Sequence, residues 1–303
     1  MIYADLAAEV VAALDAMTPL QREGIRRSLN VPNLALPENA ALWEVIAPAT
    51  QDNDQTNDSP LEDVRAALED LPPDSWRALN NALFILYRGN IFDEPARFLE
   101  GGGIDFRHDD GMGRLVWGAR YELFFSYLEA ERQRLKATYP YTRQIVVDPL
   151  AVLDVGCWQG TLMCEMMQRG YATGGTDICS LVQPDVRDRV SHLRAEDRNF
   201  LGFTPGWAHE IIPTLGLFDI VTCQETLEHI PASVLQQTCD AILGAARYSV
   251  LIELPGWDDG WPLHLRVYTI EELYGLFARD GWRVEVLQVP GPGVYTMVKM
   301  VRE

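Results

Sequence analysis

The period of the hydrophobic pattern changes near residue 145, and that change limits the fold more than any other feature of the chain. Before it, apolar residues recur at helical spacing: Leu6, Val10, Val11 and Leu14 share one face, and Trp76, Leu79, Leu83, Phe84 and Leu86 mark another helix. After it, short apolar runs alternate with helical ones. The pattern predicts strands over 151–155, 172–176, 217–223, 248–253, 282–289 and 294–301, with a short one at 192–195. Helices are predicted over 161–169, 231–245 and 270–279, the last opened by a capping box of Thr269 and Glu272. Such alternation implies a parallel sheet covered by helices on both faces. The final two strands, separated only by residues 290–293, read as an antiparallel hairpin at the end of that sheet.

The first part carries no good strand signal. Helices are predicted over 4–16, from Pro19, over 38–47, 61–70 and 74–88, and as a long one over 114–138. Residues 48–60, rich in Asp and Asn, read as a solvated linker, and Gly101, Gly102 and Gly103 break the chain. The expected organisation is a helical region over 1–145 and an α/β domain over 146–303.

Composition closes off several classes of function. The 303 residues carry a net charge of −19, and the basic residues are nearly all arginine, lysine occurring only at Lys136 and Lys299. Without clustered positive charge neither a nucleic acid nor an anionic membrane surface is an expected partner. No uncharged apolar run reaches the ~18 residues of a membrane span. The start of the chain lacks a basic n-region and has Asp5 and Glu9, unlike a signal peptide. Five cysteines, with no C-x-x-C spacing, make a disulfide frame or zinc cage improbable and a reducing cytoplasm the expected location.

The run from Val152 through Asp154, Gly156 and Cys157 to Gly160 follows the first strand and opens a helix. A turn of this kind aims backbone N–H groups and a helix N-terminus into the crevice at the strand's carboxyl end, where an anionic ligand part binds. The next strand ends at Asp177, where a carboxylate accepts hydrogen bonds from both hydroxyls of a ribose, with Ile178 beside it to lie against an adenine. Together these describe a nucleoside-cofactor site.

Three motifs, at Leu153–Gly160, at Thr176 and Asp177, and at Phe218–Ile230, resemble the class I S-adenosylmethionine-dependent methyltransferases, in the small-molecule group of ubiquinone-type and sugar O-methyltransferases. The likeness covers about 146–303. It implies a Rossmann-like α/β fold with a seven-stranded sheet, its last strand antiparallel, preceded here by an all-helical domain or lid. It implies S-adenosylmethionine as cofactor and a small-molecule acceptor. Carried over by resemblance, Asp154, Gly156, Cys157 and Gly160 shape the pocket of the methionine end. Asp177 and Ile178 take the ribose and adenine, Asp197 meets the adenine amino group with Glu196 as a competitor, and Cys223 and Gln224 border the cofactor's amino-acid end. Trp158 stands where the family commonly has a glycine. That leaves two expectations, a reshaped turn with the indole packed outward or a different pocket. A nicotinamide dehydrogenase also uses a glycine turn and a ribose-binding acid, but its G-x-G-x-x-G spacing is absent.

Methyl transfer to a hydroxyl or ammonium requires removal of a proton, and histidine suits that task near neutral pH. His229 follows the strand that borders the cofactor, and His264 follows the next strand in a segment holding Trp257, Trp261 and Pro262 that suits an acceptor-binding lid. Both are the candidate bases. His229 read as a helix-capping or core residue and His264 as a loop anchor are the plain alternatives. Glu225, Glu228, His229 and His264 are also a candidate set for one divalent metal in a metal-assisted methyltransferase. A third reading is a methyltransferase-like binding module without turnover. The helical region is either a lid using Trp117, Arg120, Tyr121 and Phe124, or a module for a partner or a homodimer.

Overall fold

A computed structural model describes residues 2–29, 59–91, 112–138, 149–258, 260–289 and 295–303. The helix expected at 38–47, most of the 48–60 linker, the three glycines at 101–103 and the 290–293 turn lie outside the described residues. Among the described residues, five helices precede the sheet: α1 (Ile2–Asp15), α2 (Pro19–Leu29), α3 (Leu61–Glu69), α4 (Pro73–Ile91) and α5 (Met112–Thr138). Then come β1 (Ala151–Val155), α6 (Thr161–Gln168), β2 (Ala172–Asp177), α7 (Gln183–His192), β3 (Phe200–Pro205), α8 (Ala208–Leu215) and β4 (Phe218–Gln224). The chain closes with α9 (Ala232–Ala245), β5 (Ala246–Pro255), α10 (Ile270–Phe277), β6 (Trp282–Val289) and β7 (Tyr295–Arg302).

The strands form one seven-stranded sheet in the order β3-β2-β1-β4-β5-β7-β6. The first five pair in parallel, while β7 inserts antiparallel between β5 and β6. Strand order reverses between β1 and β4, which pair at Val155 and Cys223. Crossover helices leave in opposite directions there, so a crevice opens beyond the carboxyl ends of those strands.

Alternation along the central strands feeds two cores. Val152, Ile220 and Leu251 face one side, under Phe124, Phe125, Leu128 and Leu135 of α5. Leu153, Val155, Val221 and Ile252 face the other, against α8, α9 and α10. The long helix is therefore a wall of the sheet rather than a lid over its edge. Phe124 is fully buried in that core, and the side chains of Trp117, Arg120 and Tyr121 lie outside the described residues. Glu131 of α5 is buried as well. Burial works against its charge, but hydrogen bonds from Arg134 and the nearby Lys299 of β7 outweigh it and hold its carboxyl below the ordinary range.

The sequence pattern misplaces one strand. The short strand expected at 192–195 is the end of α7 and the start of a 3-10 turn, and β3 begins at Phe200. As an edge strand broken by Gly202 and ending at Pro205, β3 is only partly buried and lacks an apolar run. The core of α1 to α4 is continuous with that of α6 and α7: Leu14, Leu68, Trp76 and Leu79 belong to the same apolar cluster as Met163, Met167, Val182 and Val186.

Candidate functional site

Beyond the carboxyl ends of β1, β2 and β4 lies a cavity of about 320 Å³, on the scale of a small-ligand cleft. Its sheet side is formed by Val155, Gly156, Thr176, Asp177 and Ile178, and by Glu225 and Thr226 after β4. Gly206, Trp207 and Ala208 close the end beyond β3. Trp76, Asn80 and Leu83 of α4 form the opposite side, while His229, Ile230, Trp261 and Leu263 complete the rim. Four indoles thus surround one space.

The glycine turn provides room more than donors. The N–H groups of Gly156 and Cys157 both donate to the Thr176 carbonyl, at 2.8 and 3.1 Å, and that of Gly160 to the Cys157 carbonyl at 2.8 Å. The N–H of Trp158 donates to Oδ2 of Asp177 at 2.9 Å. These groups are engaged within the fold and do not form the anion cradle expected of the turn. Gly156 has φ +71, and a Cβ there would come within 2.1 Å of Thr226 Oγ1, so the close approach of the two turns depends on glycine.

Trp158 resolves the two expectations for its position. It adopts φ 45, in the left-handed region that favours glycine, and it lines the cavity instead of packing outward. The only other non-glycine residue with positive φ among the described residues is Glu225, at φ 47, on the same cavity. Strain of roughly 1–2 kcal/mol at each is characteristic of a functional surface.

Asp177 is 7% exposed and faces this space. Burial pushes its carboxyl up to about 6, against the N–H groups of Cys179 and Trp158, which favour the charge. Each oxygen accepts one of those N–H bonds and keeps a further lone pair. Asp154 of β1 accepts a hydrogen bond from the Thr222 hydroxyl at 2.9 Å, and burial raises it to about 7. It braces β1 against β4 and does not line the cavity.

Several predicted contacts fall elsewhere. Asp197 lies before β3, at the amino end of the sheet, paired with Arg194 at 2.8 Å. It does not line the cavity. The end of the cavity beyond β3 is lined instead by Gly206, Trp207 and Ala208. Cys223 points into the core under α9, where burial raises its thiol well above the ordinary range, so it is neither a cavity residue nor a thiolate nucleophile. Cys157 is likewise buried, its Sγ beside Gly175. Gly160 starts α6 at φ +76, and Gln224 bonds Glu253 at 2.9 Å; both support the turns without lining the space. Ile178 does line it.

His229 and His264 come together, with ring centroids 4.8 Å apart, and Trp261 stands edge-on to both. Only His229 lines the cavity, so His264 stands behind it. The Leu263 carbonyl lies 2.8 Å from His229 Nδ1. A carbonyl only accepts, so Nδ1 carries a proton, and in the neutral ring Nε2 keeps its lone pair. Glu228 is fully buried, and one carboxylate oxygen lies 3.9 Å from His229 Nε2. Ligand atoms of Glu228, His229 and His264 all fall within 4.8 Å of one another, whereas Glu225 lies outside that group. Trp257, expected in the lid, instead packs edge-on to Tyr295. Trp76, Asn80, Leu83 and Trp207 escape sequence reasoning, because helical apolar spacing marks a core face whether or not a cavity adjoins it.

The fold agrees with that of a solved structure. Magnesium protoporphyrin IX methyltransferase from Synechocystis PCC 6803, solved with bound S-adenosylmethionine, superposes with a TM-score of 0.54 over 75% of this chain and 97% of that one, at 14% identity. The chain has the class I methyltransferase fold. No protein-family model matches it. A ubiquinone biosynthesis O-methyltransferase of Psychrobacter arcticus is 30% identical over 150 residues, 48% of this chain and 53% of that protein. A protein of the same name from Pseudomonas aeruginosa is 37% identical over 89 residues, 28% of this chain and 36% of its own length. The chain thus spans about half or less of the curated relatives it matches. Beside this methyltransferase fold, no helix among the described residues is long and apolar enough to cross a membrane.

Proposed function

We propose that the protein is an S-adenosylmethionine-dependent methyltransferase that methylates a small molecule, at oxygen, with His229 as the base. The observation that carries this reading is a single cavity bordered at one end by the buried Asp177 and at another by His229, whose Nδ1 is bonded to the Leu263 carbonyl. The residues fit the cofactor. Asp177 has lone pairs left for two ribose hydroxyls, and Ile178 and Trp207 offer apolar walls to an adenine. When bound, the cofactor supplies a methyl group on a sulfonium. Asp177 holds the ribose, His229 Nε2 takes the acceptor's hydroxyl proton, and the four indoles keep water away from the reacting groups. His264 and Trp261 fix the His229 ring. Five unbridged cysteines fit a reducing cytoplasm.

Calorimetry with S-adenosylhomocysteine tests the cofactor; no binding by the purified chain overturns the reading. His229→Gln should lower transfer to a hydroxylated acceptor by about 10²–10⁴-fold while leaving that binding intact.

A second reading has its own support. Glu228, His229 and His264 place one carboxylate and two imidazoles within reach of a divalent metal, and the Nδ1 bond to Leu263 orients His229 as a metal ligand is oriented. Transfer indifferent to a chelator removes this reading.

A further inference from the structure

Two side chains of α3, one helical turn apart, hold both flanks of His229. Arg65 donates to the two oxygens of Asp258 at 2.7 Å each and to the Trp261 carbonyl at 3.0 Å. Asp258 also accepts the N–H of Gly260 at 2.8 Å, so its carboxylate closes the loop after β5 while Arg65 clamps it. The hydrogen bond from Arg65 lowers the Asp258 carboxyl to about 2. That same loop presents the Leu263 carbonyl to His229 Nδ1, and the Leu265 N–H donates to the Glu228 carbonyl at 2.9 Å.

Glu69 secures the other flank. It pairs with Arg266 and accepts the N–H of Ala232 at 2.6 Å. Helix α9 begins after Pro231 with no side-chain cap of its own. Glu69 therefore supplies, from the far part of the chain, the acceptor that a cap residue normally gives, at the helix end where a negative charge is favoured. His229 lies between these anchored points, in the short turn that leads from β4 into α9.

We propose that Arg65 and Glu69 are positioning residues that set the His229 tautomer by fixing the loop after β5 and the start of α9. The inference rests on His229 being the base, and it gives the helical region a task in the reaction beyond covering the cavity. Without the clamp, the Leu263 carbonyl is no longer held against Nδ1, the proton redistributes between the two nitrogens, and Nε2 is less often the acceptor.

The test is ¹⁵N NMR of the histidine side chains in the full-length protein, with Arg65→Met, Asp258→Asn and Glu69→Ala. The wild type should show His229 protonated at Nδ1. Each variant should raise the Nε2–H tautomer about fivefold, as expected for the loss of one ordinary hydrogen bond, with His192 and His209 unchanged. Arg65→Lys should fall between, since an ammonium keeps the charge and loses the two-pronged fork. Asp258 is half-exposed, so Asp258→Asn decides the Arg65 arm even where Arg65→Met fails to fold. An unchanged tautomer in folded Asp258→Asn overturns the role of Arg65, and in folded Glu69→Ala that of Glu69. S-adenosylhomocysteine binding is measured on the same samples. A wild type that does not bind it removes the methyltransferase reading while the tautomer result stands on its own.

Discussion

The sheet side of the cavity and the helical side are built by different means. On the sheet side, the ends of β1, β2 and β4 bring backbone, Gly156 and the carboxylates of Asp177 and Glu225 to fixed places, and the pairing register sets their separations. On the helical side, Trp76, Asn80 and Leu83 come from α4, whose position depends on packing against α1 and on the Arg65 and Glu69 links of α3. Hydrogen-bonded strands leave little freedom in how a site is shaped, whereas a packed helix can be exchanged or moved. The first side suits a constant ligand part and the second a variable one.

The strongest challenge to this contrast is Gly156→Ala. Its Cβ would meet Thr226 at 2.1 Å on a backbone at φ +71. Overpacking at ~1–3 kcal/mol and a left-handed backbone at ~1–2 kcal/mol give an expected stability loss of about 3 kcal/mol, with cofactor binding abolished. Urea unfolding measures the first and calorimetry the second. A near-neutral result would show that the turn is not rigidly specified.

Asp177→Ala should weaken cofactor binding at least ~10-fold, the loss expected for hydrogen bonds to a charged group. Unchanged affinity would remove Asp177 from the site. A related effect follows from acid. The carboxyl of Asp177 in the empty protein sits at about 6 instead of the ordinary 3.8. Affinity should be level above that value and fall as the pH drops through it, because protonation takes away the charge that ribose hydroxyls bind. Stability of the empty protein runs the opposite way. The fold holds these protons more tightly than the unfolded chain, with Asp154 at about 7 as well. Stability should therefore decline from about pH 4 to about pH 7, and Asp177→Asn should flatten part of that slope in melting curves.

The smallest expected effect is on the helical side. Asn80→Ala should change S-adenosylhomocysteine affinity by no more than about fivefold, since only the loss of a single neutral hydrogen bond is at stake. A tenfold loss would place α4 in the cofactor site and dissolve the distinction between the two sides.

How much of this was legible beforehand follows the same division. β1, β2, β4, β5 and the closing hairpin are readable because each is a short apolar or alternating run with turn residues on both sides. β3 is not, because an edge strand needs few apolar residues, and Asp197, read from the same stretch, lies away from the cavity. Asp177, Ile178, Gly156 and His229 are found because position relative to a strand end is a sequence property. The cavity position of Trp158 is not: sequence identifies the departure from glycine, but only packing decides which way an indole turns.

The amino-acid sequence by itself determined the period of each segment, and thereby an α/β sheet with a glycine turn and an acid at the ends of neighbouring strands. It also placed two histidines after the next two strands. The tertiary structure alone decided that the long helix covers the sheet face, that α4 walls the cavity, and that Arg65 and Glu69 reach His229's surroundings from more than 150 residues away in the chain. The physical reason is range. Hydrophobic period and turn chemistry act between near neighbours in the chain, whereas the choice of which buried face meets which is made by whole-surface packing, and no local pattern records it.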